Sequence, residues 1–152
     1  MIYADNAATT KMNTAAADAM RSCMEQAWGN PSSLYGLGQR AAEVLQDARE
    51  RIAACIGASC KEITFTSGGS EADNQAIRST ALLGAQRGKR HIISTAFEHH
   101  AVMHTLKRLE GEGFEVELLP VGGLGTVTAG QVAAAIREDT ALVTVMYLSL
   151  IH

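Results

Sequence analysis

The residues best suited to chemistry in this chain lie at a turn from Ser67 to Glu71, called the glycine turn below, within the run ITFTSGGSEADN. This run begins as a short apolar strand, breaks at two glycines and restarts as a predicted helix with Ser70 and Glu71 in its first turn. Glycines let a ligand approach the backbone closely, and the free N–H groups and positive dipole end of a helix attract anions. The pattern therefore predicts a phosphate site.

The glycine turn alone is a moderately specific signal. It lacks the GxxxxGK[ST] pattern of a P-loop and the GxGxxG spacing of a dinucleotide site. A nucleotide is therefore less favoured as the phosphate-containing ligand. On these residues alone, a glycine-rich corner between strand and helix that binds nothing is the alternative.

A second group of reactive side chains follows the predicted strand His91 to Thr95. His99 is expected at the carboxyl end of a parallel strand, where open α/β sheets place their ligands. Its spacing fits a surface histidine at a helix start equally well. His100 and His104 share a helix face at metal-ligand spacing, but no further ligands are evident, so a metal site ranks last.

The three cysteines predict neither disulfides nor a zinc site, because their number is odd and none forms a Cys-x-x-Cys pair. Cys55 falls on the apolar stripe of a predicted helix and is expected to be a small core residue. Cys60 lies in a segment that is predicted to be a loop, where it could be exposed.

Composition excludes several functional classes. With 47% hydrophobic and 19% charged residues the chain is globular, and a net charge of −3 without a basic stripe argues against nucleic-acid binding. Its apolar stretches are shorter than the roughly 20 residues that span a bilayer, and no leader pattern is present. We expect a cytoplasmic protein.

Alternating periodicity predicts an α/β fold with a mostly parallel sheet, preceded by an N-terminal arm and helix. Thr128 and Gln131 form a capping-box pattern, and Gly57 is a candidate helix C-cap. The predicted helices cover Thr14–Ala27, Ala41–Ile56, Glu71–Leu83, His100–Glu110 and Ala129–Arg137. The predicted strands cover Glu62–Thr66, His91–Thr95, Phe114–Leu119 and Ala141–Tyr147.

Six motifs in order carry a resemblance to a known family over residues 1–147. They are DNAATT at Asp5–Thr10, GNPSSLYGLG at Gly29–Gly38, ITFTSGGSEADN at Ile63–Asn74, EHHAV at Glu98–Val102, GFEVELLPV at Gly113–Val121 and LVTVMY at Leu142–Tyr147. Together they closely resemble the cysteine desulfurases, pyridoxal-phosphate (PLP) enzymes of the class V aminotransferase group. The resemblance implies an incomplete three-layer α/β/α PLP-transferase large domain across residues 1–152, with an arm at residues 1–12.

The resemblance also implies a cofactor, a reaction and partners. Gly69 and Ser70 match family residues that bind the PLP phosphate, and His99 matches the histidine that stacks on the pyridine ring and moves protons. The implied reaction converts L-cysteine to L-alanine, and a family cysteine receives the sulfur as a persulfide. Full-length members are homodimers that pass sulfur to acceptor or iron–sulfur scaffold proteins. No metal ligand is implied.

The resemblance stops at Leu148. No lysine of this chain matches the family lysine that binds PLP covalently, and no cysteine matches the sulfur-accepting one. We therefore expect an N-terminal portion of a cysteine desulfurase, inactive alone, with residues 148–152 as a tail of non-family sequence. The tail suggests a truncated sequence, and a genuine short protein is the other interpretation.

Three other functions stay open from the sequence. A selenocysteine lyase or another class V aminotransferase would be distinguished by the family loop that carries the catalytic cysteine, which this sequence does not contain. A non-catalytic PLP- or phosphate-binding remnant could complete its sheet against another chain. In the family fold the strand at Glu62–Thr66 pairs with a strand that this chain lacks. We therefore expect a three-stranded sheet from the elements between His91 and Tyr147, with the Glu62–Thr66 strand displaced or loosely packed.

Overall fold

The computed structural model describes residues 2–148; Met1 and residues 149–152, which hold most of the predicted tail, lie outside the described part. The chain divides into two compact units between Phe65 and Thr66. We call them the N-terminal unit and the C-terminal unit. No helix among the described residues is both long enough and apolar enough to cross a bilayer.

The N-terminal unit contains helices α1 (Thr14–Gln26) and α2 (Gly36–Ile56), followed by a short 3-10 helix (Cys60–Glu62). Helix α1 starts at Asn13, whose Oδ1 accepts a hydrogen bond from Ala16 N at 2.7 Å. Helix α2 begins five residues before the predicted Ala41. It ends at Gly57, where φ is +68°, which confirms the predicted C-cap because this backbone region favours glycine.

Two expectations for this unit are wrong. The predicted strand Glu62–Thr66 does not form: the chain makes a 3-10 turn instead, in which Glu62 Oε2 accepts from Ser59 N at 2.7 Å, and residues 63–66 follow without a strand partner. Cys55 is exposed rather than buried. Its neighbour Ile56 is 68% exposed, so in the described structure the apolar stripe of α2 is only partly covered.

The C-terminal unit is an alternating α/β layer built on a three-stranded parallel sheet. Its helices are α3 (Gly69–Ala85), α4 (His100–Gly111) and α5 (Ala129–Ala135), and its strands are β1 (His91–Thr95), β2 (Glu115–Leu119) and β3 (Thr140–Val143). The strand order is β2-β1-β3, with both pairings parallel. This confirms the expected three-stranded sheet from the elements after His91.

The core of this unit lies where α3 and α4 pack together over one face of the sheet. All five residues of β1 are buried, as expected for a central parallel strand. Ile92, Val116 and Leu142 are partners in register and share the face that meets the helices. The helices contribute the buried side chains Ile77, Ala81, Val102, Leu106 and Leu109.

The amino ends of the strands are fastened by an ion-pair network. Arg137 donates to both oxygens of Glu115 at 2.6 and 2.8 Å, and also to both oxygens of Asp139 at 2.9 Å. Hydrogen bonds from Arg137 lower the pKa of both carboxyl groups. This network joins the first residue of β2 to the segment that precedes β3. It lies at the end of the sheet opposite the one where α/β folds bind ligands.

Candidate active site

The glycine turn forms the amino end of α3, as the sequence predicts. Gly68 is the N-cap, with an extended φ of 167°, and Gly69 is the first helical residue. Neither has a φ in the left-handed region, so backbone freedom is not what requires glycine here. A Cβ added at either position meets no atom within 4 Å, so the turn faces open space large enough for a ligand to reach the backbone.

Three backbone donors at this turn are free to bind an anion. The first bond of α3 runs from Ala72 N to Gly68 O at 3.1 Å, so the N–H groups of Gly69, Ser70 and Glu71 lie ahead of the helical ladder. Gly68 has no side chain to cap them. The exposed Ser70 hydroxyl adds a fourth donor beside them.

The Glu71 side chain binds back to Ser67, the residue that precedes the two glycines. Its Oε2 accepts from Ser67 Oγ at 2.6 Å and from Ser67 N at 2.7 Å. The hydrogen bond from the Ser67 side chain, followed by the one from its backbone, lowers the pKa of the Glu71 carboxyl. The ionised carboxylate therefore binds the residue that enters the turn.

His99 is the N-cap of α4. Its Nδ1 accepts a hydrogen bond from Ala101 N at 3.1 Å, so in the neutral imidazole the proton is on Nε2. The His99 side chain is exposed. It can therefore present a ring face for stacking and an Nε2 that exchanges a proton.

His100 and His104 form a stacked pair. The rings of His100 and His104 have centroids 5.9 Å apart and an interplanar angle of 23°. Across residues 2–148, no three or more His, Cys, Asp or Glu side chains come together in a way that could hold a metal ion.

Sequence reasoning missed Asn74, which bridges the first turns of α3 and α4. Its Nδ2 donates to Ser70 O at 2.8 Å and to Ala101 O at 3.4 Å, and its Oδ1 accepts from Thr105 Oγ1 at 2.5 Å. The only local signal is a polar residue four positions after Ser70 on the predicted helix. That spacing does not predict the contact of Asn74 with α4.

Glu98 belongs to the EHHAV motif, but the sequence assigned it no role of its own. It is only 5% exposed, and its Oε1 accepts from Thr95 Oγ1 at 2.8 Å and from Met146 N at 2.7 Å. The carboxylate thus joins the carboxyl end of β1 to the segment that follows β3. Since His99 is the next residue, Glu98 also anchors the loop that carries the histidine.

A cavity of about 580 Å³ opens at the same end of the sheet. Phe97, the glycine-containing loop of residues 121–127 and residues 145–148 line it. Its volume lies within the range of small-molecule sites. Its position, beyond the carboxyl ends of parallel strands, is where open α/β sheets bind ligands.

Comparisons with known proteins agree with this geometry. The family model for "Aminotransferase class-V" matches residues 2–152. A relative named "Putative cysteine desulfurase IscS 1" from Bacillus subtilis (strain 168) is 50% identical over 96% of this chain and 38% of its own length. A "Cysteine desulfurase IscS" from Methanosarcina thermophila is 44% identical over 96% of this chain and 36% of its own length.

Solved structures share the fold. A "NIFS-LIKE PROTEIN" superposes with a TM-score of 0.86 at 37% identity, covering 93% of this chain and 38% of that one. A structure described as "SspA in complex with cysteine" gives a TM-score of 0.85 at 36% identity, covering 94% and 41%. The chain thus spans less than half the length of the proteins it matches. From the fold, the glycine turn and these matches together, the chain belongs to the class V aminotransferase family and is similar to the N-terminal portion of its cysteine desulfurases.

Proposed function

We propose that this chain supplies the phosphate-binding and ring-stacking part of the PLP site of a cysteine desulfurase. Class V aminotransferases and cysteine desulfurases use PLP, and this chain belongs to that family. The observation that carries the proposal is the amino end of α3, where three unbonded N–H groups and the Ser70 hydroxyl face open space. This donor set fits a phosphate.

Each proposed site residue has a defined role. Gly69 and Ser70 hold the phosphate through backbone N–H groups and the hydroxyl, assisted by the α3 dipole. His99 stacks on the pyridine ring and holds or moves a proton at Nε2, because its Nδ1 is occupied by Ala101 N. Bound PLP supplies the electron sink for the reaction.

The proposed substrate is L-cysteine and the proposed products are L-alanine and a protein-bound persulfide. The cysteine named in the description of the SspA structure supports this substrate class. We further propose that the whole stretch 1–152 is the N-terminal part of a large domain. Its full-length counterpart would be a cytoplasmic homodimer that passes sulfur to an acceptor or iron–sulfur scaffold protein.

The 152-residue chain alone is proposed to bind PLP without completing the reaction. This proposal follows from the resemblance, which assigns the role of the family's PLP-binding lysine to none of the four lysines, Lys11, Lys61, Lys89 and Lys107. Release of alanine from L-cysteine by the purified chain with added PLP would contradict this proposal.

A PLP titration followed by absorbance tests the site. We expect saturable binding in which borohydride reduction leaves no PLP attached to the chain, because the contacts are non-covalent and there is no Schiff base to reduce. Ser70→Ala should weaken binding about tenfold to a hundredfold, since a hydrogen bond to a charged group contributes about 1.5–3 kcal/mol. Ser79→Ala, an exposed serine further along α3, is the matched control and should bind as the unaltered chain does. Equal binding by the Ser70 and Ser79 variants would refute the assignment.

A further inference from the structure

We infer that Asn74 and Thr105 are positioning residues that fix the phosphate-binding turn of α3 relative to the His99 turn of α4. The inference rests on the proposed function and adds residues to it. Its structural basis is one continuous hydrogen-bonded chain from Ser70 through Asn74 to Thr105 and Ala101, and from Ala101 to His99.

On the α3 side, the Asn74 amide reaches back one helical turn to the backbone of the proposed phosphate site. Its Nδ2 donates to Ser70 O at 2.8 Å. A carbonyl oxygen has two lone pairs, so Ser70 O can accept this bond in addition to its helical one. The Asn74 side chain therefore holds the carbonyl group of Ser70 in place. It leaves the free N–H groups of the turn available for the phosphate.

On the α4 side, Thr105 completes the connection. Its Oγ1 lies 2.5 Å from Asn74 Oδ1 and 2.8 Å from Ala101 O, and the residue is only 3% exposed. The hydroxyl has one proton to share between these two acceptors. Ala101 in turn donates its N–H to His99 Nδ1.

The surroundings of Asn74 also determine which way its amide points. Two neighbours, Ser70 O and Ala101 O, are backbone carbonyls and can only accept. The NH₂ group must therefore face them, which leaves Oδ1 for the Thr105 hydroxyl. An aspartate cannot replace Asn74, because its carboxylate would face two carbonyl oxygens.

A ligand that contacts both turns depends on their separation, whereas a ligand on one turn does not. PLP is of the first kind, because its phosphate belongs to the α3 turn and its ring to His99. Inorganic phosphate is of the second kind. Comparing the two probes therefore separates a positioning role from damage to the α3 turn itself.

The experiment compares Thr105→Val, which removes the hydroxyl at nearly constant shape, with Thr105→Ser, which keeps it. Both are titrated in the 152-residue chain with PLP, by absorbance and induced circular dichroism, and with inorganic phosphate, by the amide shift of Ser70. We expect Thr105→Val to weaken PLP binding about fivefold to tenfold and to diminish the induced dichroism. Phosphate affinity should stay within about twofold, and Thr105→Ser should restore PLP binding.

The outcomes are separable. Unchanged PLP affinity in Thr105→Val, or equal loss for PLP and phosphate, overturns the positioning role and leaves the proposed function standing. No PLP binding by the unaltered chain overturns both. If near-ultraviolet dichroism shows that Thr105→Val is unfolded, the partly exposed Asn74→Ala is measured with the same two probes under the same criteria.

Discussion

At the scale of single residues, the same chemical group serves different ends according to its surroundings. Glu71 and Glu98 are both carboxylates that accept two hydrogen bonds in the C-terminal unit. Glu71 is exposed and ties Ser67 to the start of a helix, whereas Glu98 is buried and joins two segments that are distant in sequence. The first contact is local and the second is tertiary, so they respond differently to substitution.

Removing the Ser67 hydroxyl should raise the pKa of Glu71 toward the ordinary carboxyl value. The lowered pKa means that the contact stabilises the folded chain above the ordinary carboxyl pKa, and that this stabilisation is lost as pH falls through the lowered value. Ser67→Ala should therefore shift the carbon-13 titration of the Glu71 carboxyl upward. Ser79→Ala is the control, and an identical titration in both variants would show that Ser67 Oγ is not the cause.

Glu98→Ala should cost about 2–3 kcal/mol of unfolding free energy, because it leaves the Met146 N–H and the Thr95 hydroxyl without their acceptor. Glu98→Gln keeps a carbonyl oxygen in place and should cost much less. Urea unfolding of the two variants measures the difference. Equal losses would indicate that the negative charge, rather than the acceptor, is what the site needs.

At the scale of elements, close packing decides where a helix tolerates a side chain. Helix α3 approaches β3 at Gly84, where an added Cβ would lie 2.5 Å from the Cβ of Ala141. Gly111, the last residue of α4, has no atom within 4 Å of the corresponding position. Both glycines look alike in the sequence, since each lies near the end of a predicted helix.

Gly84→Ala should therefore destabilise the protein although alanine is the better helix former. Overpacking costs about 1–3 kcal/mol, against about 1 kcal/mol gained in helix propensity. Gly111→Ala should be neutral or slightly stabilising. Thermal unfolding of the pair tests this, and a higher melting temperature for Gly84→Ala would mean that α3 and β3 are not in contact there.

At the scale of the whole molecule, the two units differ in how well they bury their apolar residues. All 13 residues of α1 are exposed in the described structure, and α2 buries only Gly38, Ala41 and Ala53. The C-terminal unit instead has a contiguous core centred on β1. Local stability should follow this difference, because regions with few buried contacts open at low free-energy cost.

Hydrogen exchange should reveal the contrast directly. We expect slow exchange at Ile92–Ser94, whose residues are buried in the central strand, and fast exchange at residues 63–66, which form no strand. Amides of α2 near Ala53 provide an internal reference for a helix with little burial. Equal protection of residues 63–66 and β1 would mean that the predicted fourth strand forms after all.

Elements whose signals are local were predicted closely. The strand β1 has the predicted bounds, α4 differs by one residue, and the capping box of α5 forms between Thr128 and Gln131. The start of α2 was missed because its N-cap is Tyr35, which makes no side-chain capping bond and leaves no recognisable signal. The strand at Glu62–Thr66 does not form because a strand needs a neighbour for its backbone hydrogen bonds, and the resemblance already implied that the neighbour of this segment is missing.

The sequence by itself determined the class of fold, the glycine turn at a helix start and the resemblance to a PLP family, because helix periodicity, glycine punctuation and motif order are properties of the chain alone. Only the tertiary structure decided that Asn74 and Thr105 connect that turn to His99, and that Glu98 is a buried anchor. Those contacts join residues 27 to 48 positions apart. Their existence depends on how α3, α4 and the sheet pack, which no local pattern specifies.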